Sequence, residues 1–416
     1  MGFARFQGRR VAALALGISA LGWSAATHAA LSFDETNRLA RERAPALQAQ
    51  QHALAGAQAV QPSAGTLPDP RLTLGVDNLP ISGADRYRLT ADGMTMQRIG
   101  LMQEVPNGAK REARVAGAAA RIDRERAMLA VAELAVRRDA SLAWLSVYYA
   151  EGKVAQLADL ERENRLLLDT LDARIAAGKA MPAERTMARQ EALALADRRD
   201  DAQRDVAKAR AALRRWVGER ADEPVEGTPP ALAVQAEQAK ADVHRHAEIR
   251  PYAAMQAMAL AEVREADAEQ RGDWAWEVVY ARRGPQYGDM VSFQVSFDLP
   301  WARDKRQRPQ IAARQKEVER LEAEREDMLR RHREELDGQL AELQALDAQR
   351  GRLEGQGLPL AAERVTLALA GYQSGRGDLA AVLAARREAV ETRLRLIDLD
   401  AQRSALRVRL NTWIAE

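Results

Sequence analysis

Cysteine is absent from the 416-residue chain. No disulfide can form, even in a compartment that would allow one, and no acylatable cysteine is present to carry a lipoprotein anchor. Aromatic residues are scarce too, at 5%, which is thin for a globular core of this length, although length alone would permit two or three domains. Charge of one sign is missing: 62 Lys and Arg face 60 Asp and Glu, a net charge of +2. Arg and Glu alternate along the chain without a separate basic face, which argues against a nucleic-acid partner. After residue 29 no segment reaches the roughly 18 apolar residues of a membrane helix. If the mature chain enters a membrane, it must do so by strands. What remains abundant is Ala, Leu, Arg and Glu, with 47% hydrophobic and 29% charged residues, a mixture that favours long helices and coiled coils.

Residues 1–29 have the organisation of a secretory signal. Arg5, Arg9 and Arg10 form a positive start, residues 11–23 an apolar run, and Thr27, His28 and Ala29 a small-residue cleavage site. The residues around Arg9 and Arg10 do not support a twin-arginine signal, and the apolar run is short for an anchoring helix.

The clearest pattern lies at residues 291–299. Val291, Phe293, Val295, Phe297 and Leu299 alternate with Ser292, Gln294, Ser296 and Asp298, so a strand here is apolar on one face and wet on the other. Its length matches the roughly 9–11 residues of a tilted strand crossing a bilayer. Pro300 stops it, and a charged helical pattern follows. Residues 94–105 repeat the junction, with Ile99, Leu101 and Val105 on one face, Gln103 as an exception, and Pro106 as the stop. Two further strands are expected at 71–78 (Leu72, Leu74, Val76) and 274–282 (Trp274, Trp276, Val278, Tyr280). Trp274, Trp276 and Phe297 are candidates for an aromatic girdle; Trp274, at its strand's start, fits packing against a helix almost as well.

The helical part is long. Residues 108–177 contain no proline and would span about 105 Å at 1.5 Å per residue. Leu157, Leu160, Asn164, Leu167 and Leu171 step 3, 4, 3, 4 along it, a coiled-coil seam with one polar position. Residues 178–182 break the run and a return helix reaches Trp216 and Gly218, giving an antiparallel hairpin. A second long helix is expected from 302 to 373, kinked near Gly357 and Pro359, with a turn at 374–377 and a return helix over 378–414. That last helix carries two apolar stripes, Val390, Leu394, Ile397, Ala401 and Val408, and Leu396, Leu399, Leu406, Leu410 and Trp413. Such a helix packs on both sides.

The two halves correspond in register. Gly178 and Gly375 lie 197 residues apart, as do Trp216 and Trp413, so the chain reads as a duplicated unit. The first repeat covers 30–218, with strands 71–78 and 94–105 and helical hairpin 108–218. An acidic, proline-containing linker occupies 219–231. The second repeat covers 232–416, with 232–270 helical, strands 274–282 and 291–299, and helical hairpin 302–414. The fold class is thus mainly α with a small β-barrel part. Four membrane-length strands cannot close alone, and lipid does not tolerate open edges, so several chains must contribute to one barrel.

Catalytic constellations are missing: there is no nucleophile elbow, triad context or phosphate-binding glycine loop, and no enzyme activity or cofactor is expected. His244 and His246 stand two apart and would face different sides of a helix. With only His52 and His332 elsewhere beyond the signal, no dedicated metal site is expected. Gly178, Gly375 and Gly377 read as turn residues needing positive φ.

Taken together, the residues resemble the TolC-type outer-membrane efflux factors over about 31–416. Leu31 to Ala40 followed by Arg43, Ala44 and Pro45 is similar to that family's opening helix, and Leu67 to Leu72 to its entry into the first strand. The heavy-metal branch (cobalt–zinc–cadmium or copper–silver) is the nearest. It is suggested by Gln103, Glu104, Val105 and Pro106 before Gly108 to Arg111, by Ala176 to Lys179, by Gly357 to Pro359, and by Ala370 to Asp378. The resemblance implies a homotrimer whose twelve strands form one barrel in outer-membrane lipid, continued by an α-helical tunnel into the periplasm. It implies a passive duct coupled through a periplasmic adaptor (membrane fusion protein) to an inner-membrane RND pump, with drug efflux or type I protein secretion as the alternative cargo and a periplasmic coiled-coil adaptor as the rival class. The tips farthest from the barrel are the expected docking points: Gly178, Lys179 and Pro182 on one, Ser374, Gly375, Gly377 and Leu379 on the other. Ala381 and Ala384 stand where the family often has gating acids, which leaves Tyr372, Arg376 and Asp378 as the candidate periplasmic gate.

Overall fold

A computed structural model describes residues 30–413. The signal segment at 1–29 and residues 414–416 lie outside the described residues. Among the described residues, nine α-helices and four strands follow in order: α1 (Phe33–Arg43), α2 (Pro45–Val60), β1 (Arg71–Asp77), β2 (Met96–Val105), α3 (Gly108–Ala176), α4 (Pro182–Val217), α5 (Ala236–Ala241), α6 (Arg250–Ala268), β3 (Trp274–Arg282), β4 (Met290–Phe297), α7 (Gln307–Arg352), α8 (Leu358–Gln373) and α9 (Leu379–Asn411). Among the described residues, no helix is long and apolar enough to cross a membrane.

Local chemistry explains most boundaries. Ser32 caps α1 by accepting from the Glu35 amide at 3.2 Å. Ala44, held extended by the following proline, ends α1 and lets α2 start with Pro45 at its first position. Asn107 caps α3, accepting from the Lys110 amide at 2.9 Å. The same residue ties the junction down: its backbone N–H donates to Asp273 Oδ1 at 2.9 Å and its side-chain amide to the Ala268 carbonyl at 3.0 Å, while Lys110 pairs with Asp273 at 3.2 Å.

α3 and α4 form the first antiparallel hairpin. α3 runs for 69 residues, about 100 Å. Leu157, Leu160, Asn164 and Leu171 of the expected seam are buried, and Asn164 donates to the Ala188 carbonyl of α4 at 3.2 Å. α9 uses both expected stripes. Val390 and Leu394 pack with Leu157, Leu160 and Leu195, whereas Leu399, Leu406, Leu410 and Trp413 pack with Leu336, Leu343 and Leu346 of α7. Trp144 anchors a third cluster. It is 0% exposed, stacks on Tyr148, meets Phe33 edge-on, and donates its indole N–H to the Leu31 carbonyl at 2.9 Å.

Several boundaries differ from the sequence reading. β1 ends at Asp77 because Asn78 turns to φ +54°. β2 starts at Met96, not 94, because Asp92 accepts from the Met94 amide and holds a turn. α7 starts at Gln307, not 302. Pro309 has no N–H to continue the ladder and its ring would strike the carbonyl four residues back, so residues 302–306 are turn. The bend at Gly357 and Pro359 is a π-helical turn over Leu353–Gly357, where the Leu358 amide reaches the Leu353 carbonyl. Residues 232–249 are not one helix: α5 is six residues long, and Pro251 opens α6 rather than interrupting it. The 219–231 segment is pinned to the core, with the Leu31 amide donating to the Pro224 carbonyl at 3.0 Å and Ala221 buried.

The sheet joins the two halves. Its order is β1-β2-β3-β4, all antiparallel.

Candidate functional site

Two regions hold the residues singled out from the sequence: the sheet at one end of the long helices and the interhelical turns at the other. The register of the sheet sorts its residues by face. Leu72, Leu101, Val278 and Phe293 stand in one row, and Leu74, Ile99, Tyr280 and Val291 in the next. Gln103, Trp276 and Val295, then Val105, Trp274 and Phe297, continue this face. Neighbouring rows on the opposite face hold Thr73, Gly100, Val279 and Ser292, and then Met102, Glu277 and Gln294. The period of two thus produces a sheet with one apolar and one mostly polar side.

The apolar side is not covered by the chain. Phe293 and Phe297 are each 68% exposed, and every residue of β4 is exposed. A soluble domain turns such a face inward, because leaving a Phe or Val in water forfeits roughly 1.5–3 kcal/mol per side chain. Trp274 is exposed on this face too, and Trp276 is half-buried beside it. Among the described residues, β1 and β4 each pair along one edge only. Both free edges therefore present unsatisfied backbone donors and acceptors.

At the far end, the two turns repeat each other. Gly178 and Gly375 adopt φ +68° and +71°, a region in which a side chain is strained. The Lys179 amide reaches the Arg174 carbonyl at 2.8 Å, and the Arg376 amide reaches the Gly371 carbonyl at 2.9 Å, so the same helix-ending motif occurs at the same spacing. Pro182 opens α4 with Glu184 accepting from the Met181 amide at 3.1 Å. Asp378 opens α9, its Oδ1 accepting from the Ala381 amide at 2.8 Å. Gly377 departs from expectation. Its φ is not positive; a Cβ there would come within 3.2 Å of the Gly371 backbone, so a side chain at 377 would press on backbone that must give way, and close approach rather than φ favours glycine.

The candidate tip and gate residues separate in their surroundings. Gly178, Lys179, Pro182, Ser374, Gly375, Arg376, Gly377 and Asp378 are exposed. Leu379 is 1% exposed and packs with Leu171, Ala188 and Val382, so it holds the turn together and presents nothing to a partner. Tyr372 is buried in the same cluster. Its hydroxyl donates to Glu184 across the two hairpins, and the Arg174 guanidinium lies 4.4 Å from its ring. Burial first, and the carboxylate it serves second, push the Tyr372 phenol up to about 12. It is a strut within one chain, invisible to local pattern because Glu184 lies 188 residues away. Arg376 makes no ion pair among the described residues. His246 does not meet His244; its ring stacks on His332 of α7, a pairing the local spacing could not reveal.

The geometry has close counterparts among solved structures. CusC, studied for its folding and transmembrane channel formation, superposes with a TM-score of 0.79 over 92% of each chain at 14% identity. The two chains share one fold. The Vibrio cholerae outer membrane protein VceC matches with TM-score 0.75 and 18% identity over 92% of this chain and 97% of that one. The Campylobacter jejuni outer membrane channel CmeC matches with TM-score 0.76 and 11% identity over 98% and 93%. No protein-family model matches the chain, and no curated protein matches it by sequence.

Proposed function

We propose that this chain is one third of an outer-membrane duct, a passive export channel that a periplasmic adaptor couples to an inner-membrane pump. The observation that carries the reading is the four-stranded sheet, apolar and uncovered on one face and open at both edges, set at the end of helices about 100 Å long. Lipid would cover the apolar face. A hydrocarbon core leaves no water for free strand edges, so the edges need other strands. Four strands fall short of the roughly eight in the smallest barrels, while three copies supply twelve. The polar face then lines the lumen, and the helices continue it as a tunnel.

The heavy-metal branch is our choice of cargo, resting on the motif resemblance around Gln103 to Arg111 and Ala370 to Asp378. Drug efflux or type I secretion is the alternative, because the duct's tips and not its lumen meet the partners. Deletion should raise sensitivity to metal ions more than to dyes or detergents; the opposite profile moves the chain to the drug branch.

Assembly is tested separately. The absence of native cysteine makes a cysteine pair on the two edges, Thr73→Cys with each of Ser292→Cys, Gln294→Cys and Ser296→Cys in turn, a clean reporter. Oxidation in outer membranes should give a covalent trimer with one member of the series. A chain that remains monomeric with all three, and in detergent without heating, refutes the barrel.

A further inference from the structure

Away from sheet and tips, a side-chain cluster lies where the segment before α6, the middle of α7 and the end of α9 meet. His246 and His332 stack with ring centroids 3.7 Å apart, and Trp413 packs edge-on against both at 4.9 and 5.6 Å. Both histidines are buried, at 8% and 6% exposure. Neither ring nitrogen of His332 has a hydrogen-bond partner among the described residues. Nε2 faces Glu248 Oε2 at 3.5 Å and Nδ1 faces Glu335 Oε2 at 3.8 Å. A buried imidazole left in this state costs the desolvation of both nitrogens unless something else satisfies them.

We infer that His246, Glu248 and His332 form a binding site for a divalent transition cation of the zinc type, with Glu335 as the group that orients His332. Ligand atoms of the three residues lie within 4.8 Å of one another. Tetrahedral zinc with bonds of about 2.0–2.2 Å needs them about 3.4 Å apart, a contraction that side-chain rotation supplies, since Glu248 is exposed. Two imidazoles and a carboxylate are a donor set zinc accepts, with water at the fourth position. A cavity of about 320 Å³ beside the rings leaves room for it.

The hydrogen bonds fit this assignment. His246 Nδ1 accepts from the Glu248 amide at 3.2 Å, which leaves Nε2 protonated and Nδ1 as the lone-pair nitrogen. Coordination through Nδ1 would replace that one long bond. Burial, and secondarily the neighbouring His332, push His246 down to about 4, so the ring is neutral at physiological pH, as a ligand must be. With Nε2 of His332 turned to Glu248, Nδ1 is the nitrogen left on the Glu335 side, 3.8 Å from Oε2, and a rotation of the exposed Glu335 side chain would close this to the carboxylate–histidine arrangement that fixes a ligating ring. Two cations stand nearby, Arg138 and Arg409; Arg138 is already paired with Asp139 at 2.8 Å, and Arg409 is exposed. Bound metal would brace the 246–248 segment against α7, whatever the duct carries.

Cobalt(II) is the probe, because a low-coordinate site gives it visible absorption. Titration of the full detergent-solubilised protein should show one equivalent bound per chain, released by zinc. His332→Gln and His246→Gln should each weaken binding at least tenfold, while His244→Gln leaves it unchanged. Should either histidine variant fail to fold, the exposed Glu248→Gln serves: it should also weaken binding tenfold or more, and Glu335→Gln several-fold. Absence of stoichiometric uptake, or uptake undiminished in Glu248→Gln and the folded histidine variants, overturns the site.

Discussion

Replacing Tyr372 by Phe removes one hydroxyl and tests whether the two helical tips act as one body. In the structure that hydroxyl donates to Glu184, whose other oxygen accepts from the Met181 amide where α4 begins. The ring is buried against Leu171 and Leu379, and Phe keeps those contacts, so no cavity term arises. The loss is a hydrogen bond to a charged acceptor, about 1.5–3 kcal/mol when enclosed. Glu184 is half-buried and water can reach its freed oxygen, which brings the expected cost to about 1–2 kcal/mol. Opening of the tips should become roughly 5–30 times more frequent. Hydrogen exchange of the assembled protein reads this directly. The amides of Lys179 and Glu184 on one tip, and of Arg376 and Gly377 on the other, all bonded within the turns, should lose protection together by that factor. Glu184→Gln should produce much the same loss, and the double variant little more than either alone. Protection that falls only around residue 372, or by less than twofold at both tips, refutes the strut.

Four other changes have defined outcomes. Trp144→Ala should cost about 3–5 kcal/mol, seen as a lowered thermal midpoint, because a fully buried indole and its bond to Leu31 are lost together. Gly375→Val forces a β-branched residue to φ +71° at about 1–2 kcal/mol and, if the tips dock an adaptor, should reduce export while trimer yield is unchanged. Arg376→Ala should raise single-channel conductance if the mouth is latched by charge; unchanged conductance leaves only a docking role. Acid should weaken the fold through His246: its folded pKa of about 4 lies below the ordinary 6.5, so the unfolded chain binds more protons in between, and stability present at pH 7 declines as pH falls from about 6.5 to 4, by at most about 3.4 kcal/mol per chain. His332, Glu248, Glu335, Arg138 and Arg409 face the same cavity, so the check is the pH dependence of the thermal midpoint in His246→Gln, which should be flatter.

What was legible in the sequence is what repeats locally. Alternation at period two located all four strands within two residues, because a sheet wetted on one side writes its register into consecutive residues. The long helices, the α9 stripes and the paired glycines at 178 and 375 were legible for the same reason, each being set within a few turns of chain. The failures share a different cause. Pro309 sets the start of α7 at Gln307, five residues beyond 302. Residues 232–249 have helical composition, yet they form only six residues of α-helix before α6, since the His246 amide bonds to Val243 and that of Ala247 to Trp413. The contacts of Tyr372 with Glu184 and of His332 with His246 join residues far apart in the chain, and no periodicity reports on such contacts.

The structure also narrows what the tips can do. Of the three residues offered as a gate, Tyr372 is committed inside the chain, and Asp378 spends Oδ1 on capping α9. Its Oδ2 remains available, so capping and an intersubunit pair with Arg376 are compatible. Three arginines converging on one axis would repel by about 1 kcal/mol per pair at 4 Å in water and more in a confined pore, which gives such a pair something to relieve. The repeat points the other way. Lys179 and Arg376 occupy the same position, each directly after its positive-φ glycine and each exposed, although a gate on a single axis would need the basic residue on only one of the two tips. A partner gripping both tips would need it on both. An exposed cation reproduced on both tips is therefore better explained by docking against an acidic or carbonyl-rich helical end than by closing the mouth.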